Sequence, residues 1–370
     1  MPIITVTGRN ARAFWTKIDA AQLFNYTGGN NFLLAANEMI PDSLTKNPIT
    51  GSAGWANFPF LSSISFNIEG STQLVQALGL DNPVSIEEVG LALQDVTIEC
   101  LFQPTNEGKK LFDMFKRIED ANDPLVGHWG LWAVRTYISG MTYYQGGQLQ
   151  KGLVHIADCW SCLPRTITFN QPEGGPATLR INLGSPFIRV ASTVATPPAA
   201  GYNIGVAILN AFEGRILLYD ENGSNVLDTD VPLLVTSLNF DIRNNVQTTH
   251  TFLRDAFNAA KFMNAVRAVR AFGFGVQTVE GSFTLFAPRD IAGQLNINKI
   301  PKYGKIEVMY YPYAGSDAST STVPTTPQIT FRFFNVKFTR TAYNITPDRA
   351  MTLTMNFQAT SPTGYAWEVE

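Results

Sequence analysis

The residues with the most chemical promise are Cys159 and Cys162, which with Trp160 and Ser161 form a C-x-x-C sequence. In a dithiol redox site such a pair opens a helix that follows a strand, and the helix N-terminus stabilises the first thiolate. Here the surroundings read as strand, with "RTITFN" (165–170) alternating polar and apolar residues directly downstream. Residues three apart on a strand point to opposite faces, which suits neither a local disulfide nor two ligands of one metal. Cys100 is the remaining cysteine, His155 and Asp158 are the nearest further ligands, and no second C-x-x-C completes a zinc site. All three cysteines are expected to pack in a core or an interface, unpaired within a subunit. Their odd number leaves pairing between chains open.

His128, His155 and His250 are scattered, and none sits in a nucleophile or metal motif. The acidic pairs Glu87/Glu88 and Asp228/Asp230 have no sequence partner that would make one an acid and the other a base. Gly273-Phe274-Gly275 lacks the third glycine and the strand-turn-helix setting of a dinucleotide loop. The expectation is a protein that is not an enzyme, with no catalytic residue, no cofactor and no metal.

These residues are carried by a chain of 370 residues with 45% hydrophobic and 12% aromatic content, enough for about two domains with cores. Only 15% of residues are charged and the net charge is -3, so much of the surface is neutral, which suits equally a protein that covers itself with copies of itself and an ordinary surface rich in Ser, Thr and Asn. The 27 basic residues are outnumbered by 30 acidic ones, which leaves no footprint for tight phosphate-backbone binding. No run of about 18 apolar residues occurs and the N-terminus lacks a signal-peptide pattern, so synthesis in the cytoplasm without a membrane span is expected.

The dominant period is two. "SSISFNI" (62–68), "VTIECLF" (96–102), "RTITFN", "TLRINL" (178–183), "TSLNFDI" (236–242), "QITFRFFNVKFTRTAYN" (328–344) and "MTLTMNFQA" (351–359) alternate as half-buried antiparallel strands do. Two stretches have helical spacing. "TNEGKKLFDMFKRIED" (105–120) aligns Leu111, Phe112, Phe115 and Ile118, with Thr105 and Glu107 at its start, and residues 250–272 align Phe252, Ala256, Ala259, Met263 and Val266.

The pattern repeats. "FNQPEGGPATLRINL" (169–183) returns as "YNITPDRAMTLTMNF" (343–357), with Asn170/Asn344, Thr178/Thr352, Leu179/Leu353 and Asn182/Asn356 all at one common separation. The same offset aligns residues 62–68 with 236–242 and "GLWAVRTY" (130–137) with "GKIEVMYY" (304–311), and it places Cys159 and Cys162 opposite Phe333 and Val336. "LFQP" (101–104) matches "LFAP" (285–288) at a larger separation, with loop insertions absorbing the difference. A period this long means two similar domains. The expected division is an irregular arm, 1–57, with short helical pieces near Ala20 and Ala35, a first domain, 58–190, a linker and hairpin turning at Asn222-Gly223, 191–230, and a second domain, 231–370. Residues 141–152 and 314–328 are long, polar and charge-poor, and are expected to be loops.

Two copies of an antiparallel domain with a flanking helix, carried by residues 62–68, 96–118 and 164–183 and their echoes at 236–242, 279–288 and 339–357, resemble the tail-tube fold of tailed bacteriophages and related injection machines. The resemblance implies two tandem β-sandwich or barrel domains per chain. It implies a structural virion protein of the tail, assembled in the host cytoplasm, whose sheets join edge to edge into stacked rings of six domains around a channel. DNA would pass without being gripped. The implied partners are further copies of the chain, then tail sheath, tape measure, baseplate and tail terminator proteins. The arm and the two polar loops are expected to join stacked rings. Most members carry one such domain, so three or six chains per ring remain open. A trimeric hub at the base of a tail also carries two tube-like domains, but usually with a large insertion that is absent here. A receptor- or carbohydrate-binding virion protein would place aromatics on exposed loops, whereas these fall mostly on alternating strand positions.

Overall fold

The computed structural model describes residues 11–17, 56–67, 70–75, 85–91, 94–119, 130, 132–145, 148–185, 187–194, 214–220, 222–224, 233–252, 267–286, 304–311, 326–344, 352–361 and 364–370. In chain order the elements are β1 (Ala11–Lys17), β2 (Ala56–Asn57), β3 (Leu61–Asn67), β4 (Gly70–Val75), β5 (Ser85–Leu91), β6 (Gln94–Leu101), α1 (Asn106–Asp113), β7 (Trp132–Gln145), β8 (Gln148–Gln171) and β9 (Thr178–Ser185). They continue as β10 (Phe187–Val194), β11 (Gly214–Tyr219), β12 (Leu233–Phe252), β13 (Arg267–Phe286), β14 (Gly304–Tyr310), β15 (Ile329–Asn344), β16 (Thr352–Ala359) and β17 (Trp367–Val369). The fold is mainly β and every strand pairing is antiparallel.

Eight strands make one continuous sheet in the order β3-β6-β9-β8-β12-β13-β16-β15. Its inward face supplies the apolar members of the alternation: Ile98, Ile167, Phe169, Leu179, Ile181, Leu238, Phe240, Phe283, Met355 and Phe357 are all buried. β8 and β15 then leave this sheet through their N-terminal halves, which pair with β7 and β14, so that two smaller sheets cover the inward face. β1 extends the first small sheet beyond β7, and β11 extends the second beyond β14.

Strand order is the same in the two halves of the chain, β3-β6-β9-β8-β7-β1 and β12-β13-β16-β15-β14-β11. The irregularities coincide as well. The register shifts between Leu61 and Ser63 and between Val235 and Ser237, again between Pro164 and Thr166 and between Phe338 and Arg340, and again between Trp132 and Val134 and between Gly304 and Ile306. The ladders correct two alignments read from sequence. Ile98 and Phe283 occupy the same ladder position, because they pair with Ile181 and Met355 respectively, whereas the match of "LFQP" to "LFAP" would set Ile98 against Ser282. A one-residue slip exchanges faces, and the corrected register puts buried Cys100 opposite buried Leu285. Likewise Val134 corresponds to Ile306, since they pair with Cys159 and Phe333, whereas the match of "GLWAVRTY" to "GKIEVMYY" would set it against Val308.

Several other expectations change. Within the 1–57 arm, residues 11–17 are a regular strand with Phe14 and Trp15 buried, because β7 and β2 flank it; Ala20 and Ala35 lie outside the described residues. The helix expected over 250–272 is replaced at both ends by strand, at His250 to Phe252 and from Arg267 onward, where the β12–β13 ladder overrides local spacing; residues 253–266, with Ala256, Ala259, Met263 and Val266, lie outside the described residues. Residues 141–145 and 148–152 are strand, not loop. They are the paired ends of β7 and β8, from Met141 opposite Gly152 to Gln145 opposite Gln148, and their polarity hid the strand period. Residues 191–194 belong to β10, and of the 314–328 stretch only 326–328 is described. The Asn222-Gly223 turn is present: the Asp220 carboxylate accepts from the backbone N–H of Asn222 at 2.9 Å and of Ser224 at 2.8 Å, and Gly223 takes a φ of 78° that suits glycine.

Candidate functional site

Where the halves meet, β8 exchanges one neighbour for another. Along one edge it pairs with β10 from Val154 to Trp160 and with β9 from Leu163 to Asn170, and along the other it pairs with β7 up to Cys162 and then with β12, from Arg243 opposite Thr166 to Leu238 opposite Gln171. Pro164 stands at the changeover, where a residue without an N–H fits a bulge that no neighbour needs to satisfy. Beyond it Ile167 and Phe169 turn inward, while Thr166, Thr168 and Asn170 alternate with them on the outer face.

The apolar side of this junction is aromatic. Phe169 and Phe240, opposite each other in the ladder, stack with centroids 5.1 Å apart, and Phe331 meets both at 4.8 and 5.3 Å. The helix α1 completes the cluster. Thr105 caps it by accepting from the Gly108 N–H at 3.1 Å, and the buried face formed by Leu111 and Phe112 brings Phe112 against Phe240, Phe331 and Trp367. Gly108 is required there, since an added Cβ would lie 2.0 Å from the Gln103 carbonyl oxygen.

A polar network locks the same junction. Asn244 Nδ2 donates to the Pro164 carbonyl at 3.1 Å, and Gln277 Nε2 donates to Asn244 Oδ1 at 2.7 Å and to the Phe115 carbonyl just past α1 at 2.9 Å. Trp367 Nε1 donates to Gln277 Oε1 at 2.8 Å, and the Tyr365 hydroxyl donates to the Arg117 carbonyl at 2.8 Å. Sequence reading missed Asn244, Gln277 and Trp367. The only signal was an amide interrupting a Thr/Val strand pattern.

The outer face of the eight-strand sheet is polar and crosses the junction without a break. Ser63 donates to Glu99, Arg180 pairs with Glu99, Arg165 with Asp95, Thr168 donates to Asp241, Arg243 pairs with Asp241, and Gln358 donates to Glu280. Three arginines of this face are therefore held by carboxylates, which weakens their pull on an external anion.

Among the described residues the eight-strand sheet ends on two open edges. Among the described residues β3 pairs only with β6, and residues 337–344 of β15 pair only with β16. The open edge of β15 is the one that β14 occupies further back, so it corresponds to the edge of β8 that β12 fills. Side chains record the difference. Val235, Leu238 and Phe240 of β12 are 3%, 0% and 1% exposed, whereas Leu61, Ile64 and Phe66, at the same positions of β3, are only half-buried.

Among the described residues, those with chemical promise do not assemble. Cys159 and Cys162 are both buried in the core, not on opposite faces, because the bulge between Cys162 and Cys159 opposite β7 restores their parity. Neither they nor Cys100 is in a disulfide, and burial pushes the Cys100 thiol up to about 12, which makes it inert. His155 and His250 lie on β8 and β12, and Glu87 and Glu88 on β5; His128, Asp228 and Asp230 lie outside the described residues. Gly273 to Gly275 belong to β13. Among the described residues no group of three metal-ligating side chains forms, and no helix is long and apolar enough to cross a membrane. No family model and no curated protein matches the chain.

Proposed function

We propose that the chain is a structural subunit that assembles edge to edge into rings, and by stacking into a tube, as a major tail tube protein does. One observation carries this reading: the two halves join to each other through a β-ladder, and among the described residues the same two kinds of edge are open at the ends of the sheet. An open, regular edge with half-buried apolar residues behind it is a hazard that natural proteins cover. Repetition of the internal junction between chains covers both edges at once and closes the sheet on itself.

The shared strand order and the coincident bulges support an internal duplication, with the first unit starting at β1 and the second at β11. Both units then present the polar face of the large sheet on one side, and that face would line the channel. Its arginines, neutralised by Asp95, Glu99 and Asp241, suit a wall along which DNA slides. Stacking falls to the elements that project past the sheet, the β7–β8 and β12–β13 hairpin ends. Other tail proteins would contact the tube at its ends and outer surface.

Electron microscopy of the purified protein tests the reading. Rings or tubes of uniform diameter with a central channel are expected, and a protein that stays monomeric at high concentration would overturn it.

A further inference from the structure

We infer that the contact between chains repeats the internal β8–β12 register residue for residue, so that three chains close a ring of the six domains that the tail-tube resemblance implies; this rests on the ring-forming reading above. β12 corresponds to β3 and the second half of β8 to the second half of β15, both at the same offset, Phe66 to Phe240 and Thr168 to Ala342. Transferring the internal pairs Asn239–Asn170, Phe240–Phe169 and Asp241–Thr168 gives three pairs between neighbours: Ser65 opposite Asn344, Phe66 opposite Tyr343 and Asn67 opposite Ala342.

Two features favour this register over a slipped one. A shift of one residue would turn Ile64 and Phe66 out of the neighbour's core and Ser65 and Asn67 into it. The half-burial of Leu61, Ile64 and Phe66 also marks where cover is lacking, since the corresponding β12 residues are sealed by β8 and α1. Both edges belong to one chain, and the β3 edge of one copy fits the β15 edge of the next, so the contact is head to tail. Such a contact closes into a ring where its rotation divides a full turn, and every closed ring then encloses an even number of domains.

The test is disulfide trapping. The internal counterparts Asp241 and Thr168 have side-chain oxygens 2.5 Å apart, so cysteines at Asn67 and Ala342 of adjacent chains would be within bonding reach. Asn67→Cys/Ala342→Cys protein, confirmed as rings by microscopy and then oxidised, should run on non-reducing gels as a terminal three-chain species that reductant dissolves. Each single variant should remain one chain. The inference is overturned if rings form but this pair does not crosslink while Asn67→Cys/Arg340→Cys does, or if the ladder of products passes three chains. Failure of the unmodified protein to form any ring instead overturns the function itself. Should the double variant not assemble although the unmodified protein does, hydrogen exchange on the unmodified protein decides. Amides of residues 64–67 and 342–344 should exchange more than about tenfold slower in rings than in dissociated chains, and unchanged exchange there would reject the register.

Discussion

β3 and β12 carry almost the same alternation, Ile-Ser-Phe-Asn against Leu-Asn-Phe-Asp, and each is hydrogen-bonded along the corresponding edge, β3 to β6 and β12 to β13. Yet Phe240 is 1% exposed and touches Phe112, Phe169, Phe331 and Phe333, while Phe66 is only half-buried. The strands do not differ in what they offer. They differ in what stands beside them, and burial in a sheet is decided as much by the second neighbour as by the side chain.

The largest way to test that contrast is truncation. Phe240→Ala should cost about 3–5 kcal/mol, the range for a large aromatic removed from a closed core. Phe66→Ala should cost about half as much in dissociated chains, where part of its surface already meets water. Urea denaturation with unchanged slope measures both, and equal costs would mean that β3 is already covered.

A second test exchanges a cross-strand pair between halves. Val96 faces Leu183 where Gly281 faces Phe357, so a small-large pair replaces two of middling size, and an added Cβ at Gly281 would lie 2.6 Å from Phe357 Cζ. Gly281→Val should cost about 1–3 kcal/mol by overpacking, and Gly281→Val/Phe357→Leu should recover part of it, because the ring clash is relieved while the added Cβ still meets the Asn239 carbonyl oxygen at 2.8 Å. Absence of recovery would mean that the two halves are not packed alike. Gln277→Ala should cost about 1–3 kcal/mol, since it leaves Asn244 Oδ1 and Trp367 Nε1 without their bonds at the junction.

The small sheets offer a contrast of charge. Arg135 stands opposite Asp158 where Glu307 stands opposite Arg332, the same ladder position with signs exchanged. Burial pulls the Glu307 carboxyl up, but hydrogen bonds from Lys305, Tyr219 and Arg332 outweigh it and hold it below its ordinary value of 4.5. A carboxyl lowered on folding stabilises the fold above its unfolded pKa and loses that contribution as pH falls through the lower, folded value. Melting temperature should therefore drop below about pH 4.5 less steeply in Glu307→Gln than in the unmodified protein, at a lower starting stability. Parallel curves would assign acid sensitivity to other carboxylates. The smallest effect is expected from Arg243→Ala. Its side chain is 54% exposed, and its pairing with Asp241 should be worth less than about 1 kcal/mol by the same denaturation measurement.

Legibility from sequence followed the physics of each element. Residues 62–68, 178–183 and 351–359 were readable as strands because one face is wet and the other dry, and Thr105 was readable as a helix start because a hydroxyl there caps the turn. Residues 141–145 and 148–152 were not, since strand ends that carry polar residues on both faces lack the alternation that announces a strand. The faces of Cys159 and Cys162 were misread because a bulge leaves no mark in composition. The junction amides Asn244 and Gln277 gave almost no signal, being polar residues whose partners lie 80 and 162 positions away in the chain.

By itself the sequence determined that the chain is mainly β, which residues of each regular strand face inward, and that one strand pattern returns in the second half, Asn170 as Asn344 and Thr178 as Thr352. Alternation carries that much because it is written in side chains. Only the tertiary structure decided that β8 abandons β7 for β12, that α1 seals the join, and that among the described residues β3 and β15 each keep an open edge. The reason is that ladder hydrogen bonds are made by backbone groups common to every residue, so a strand's pattern fixes its faces but not its neighbours.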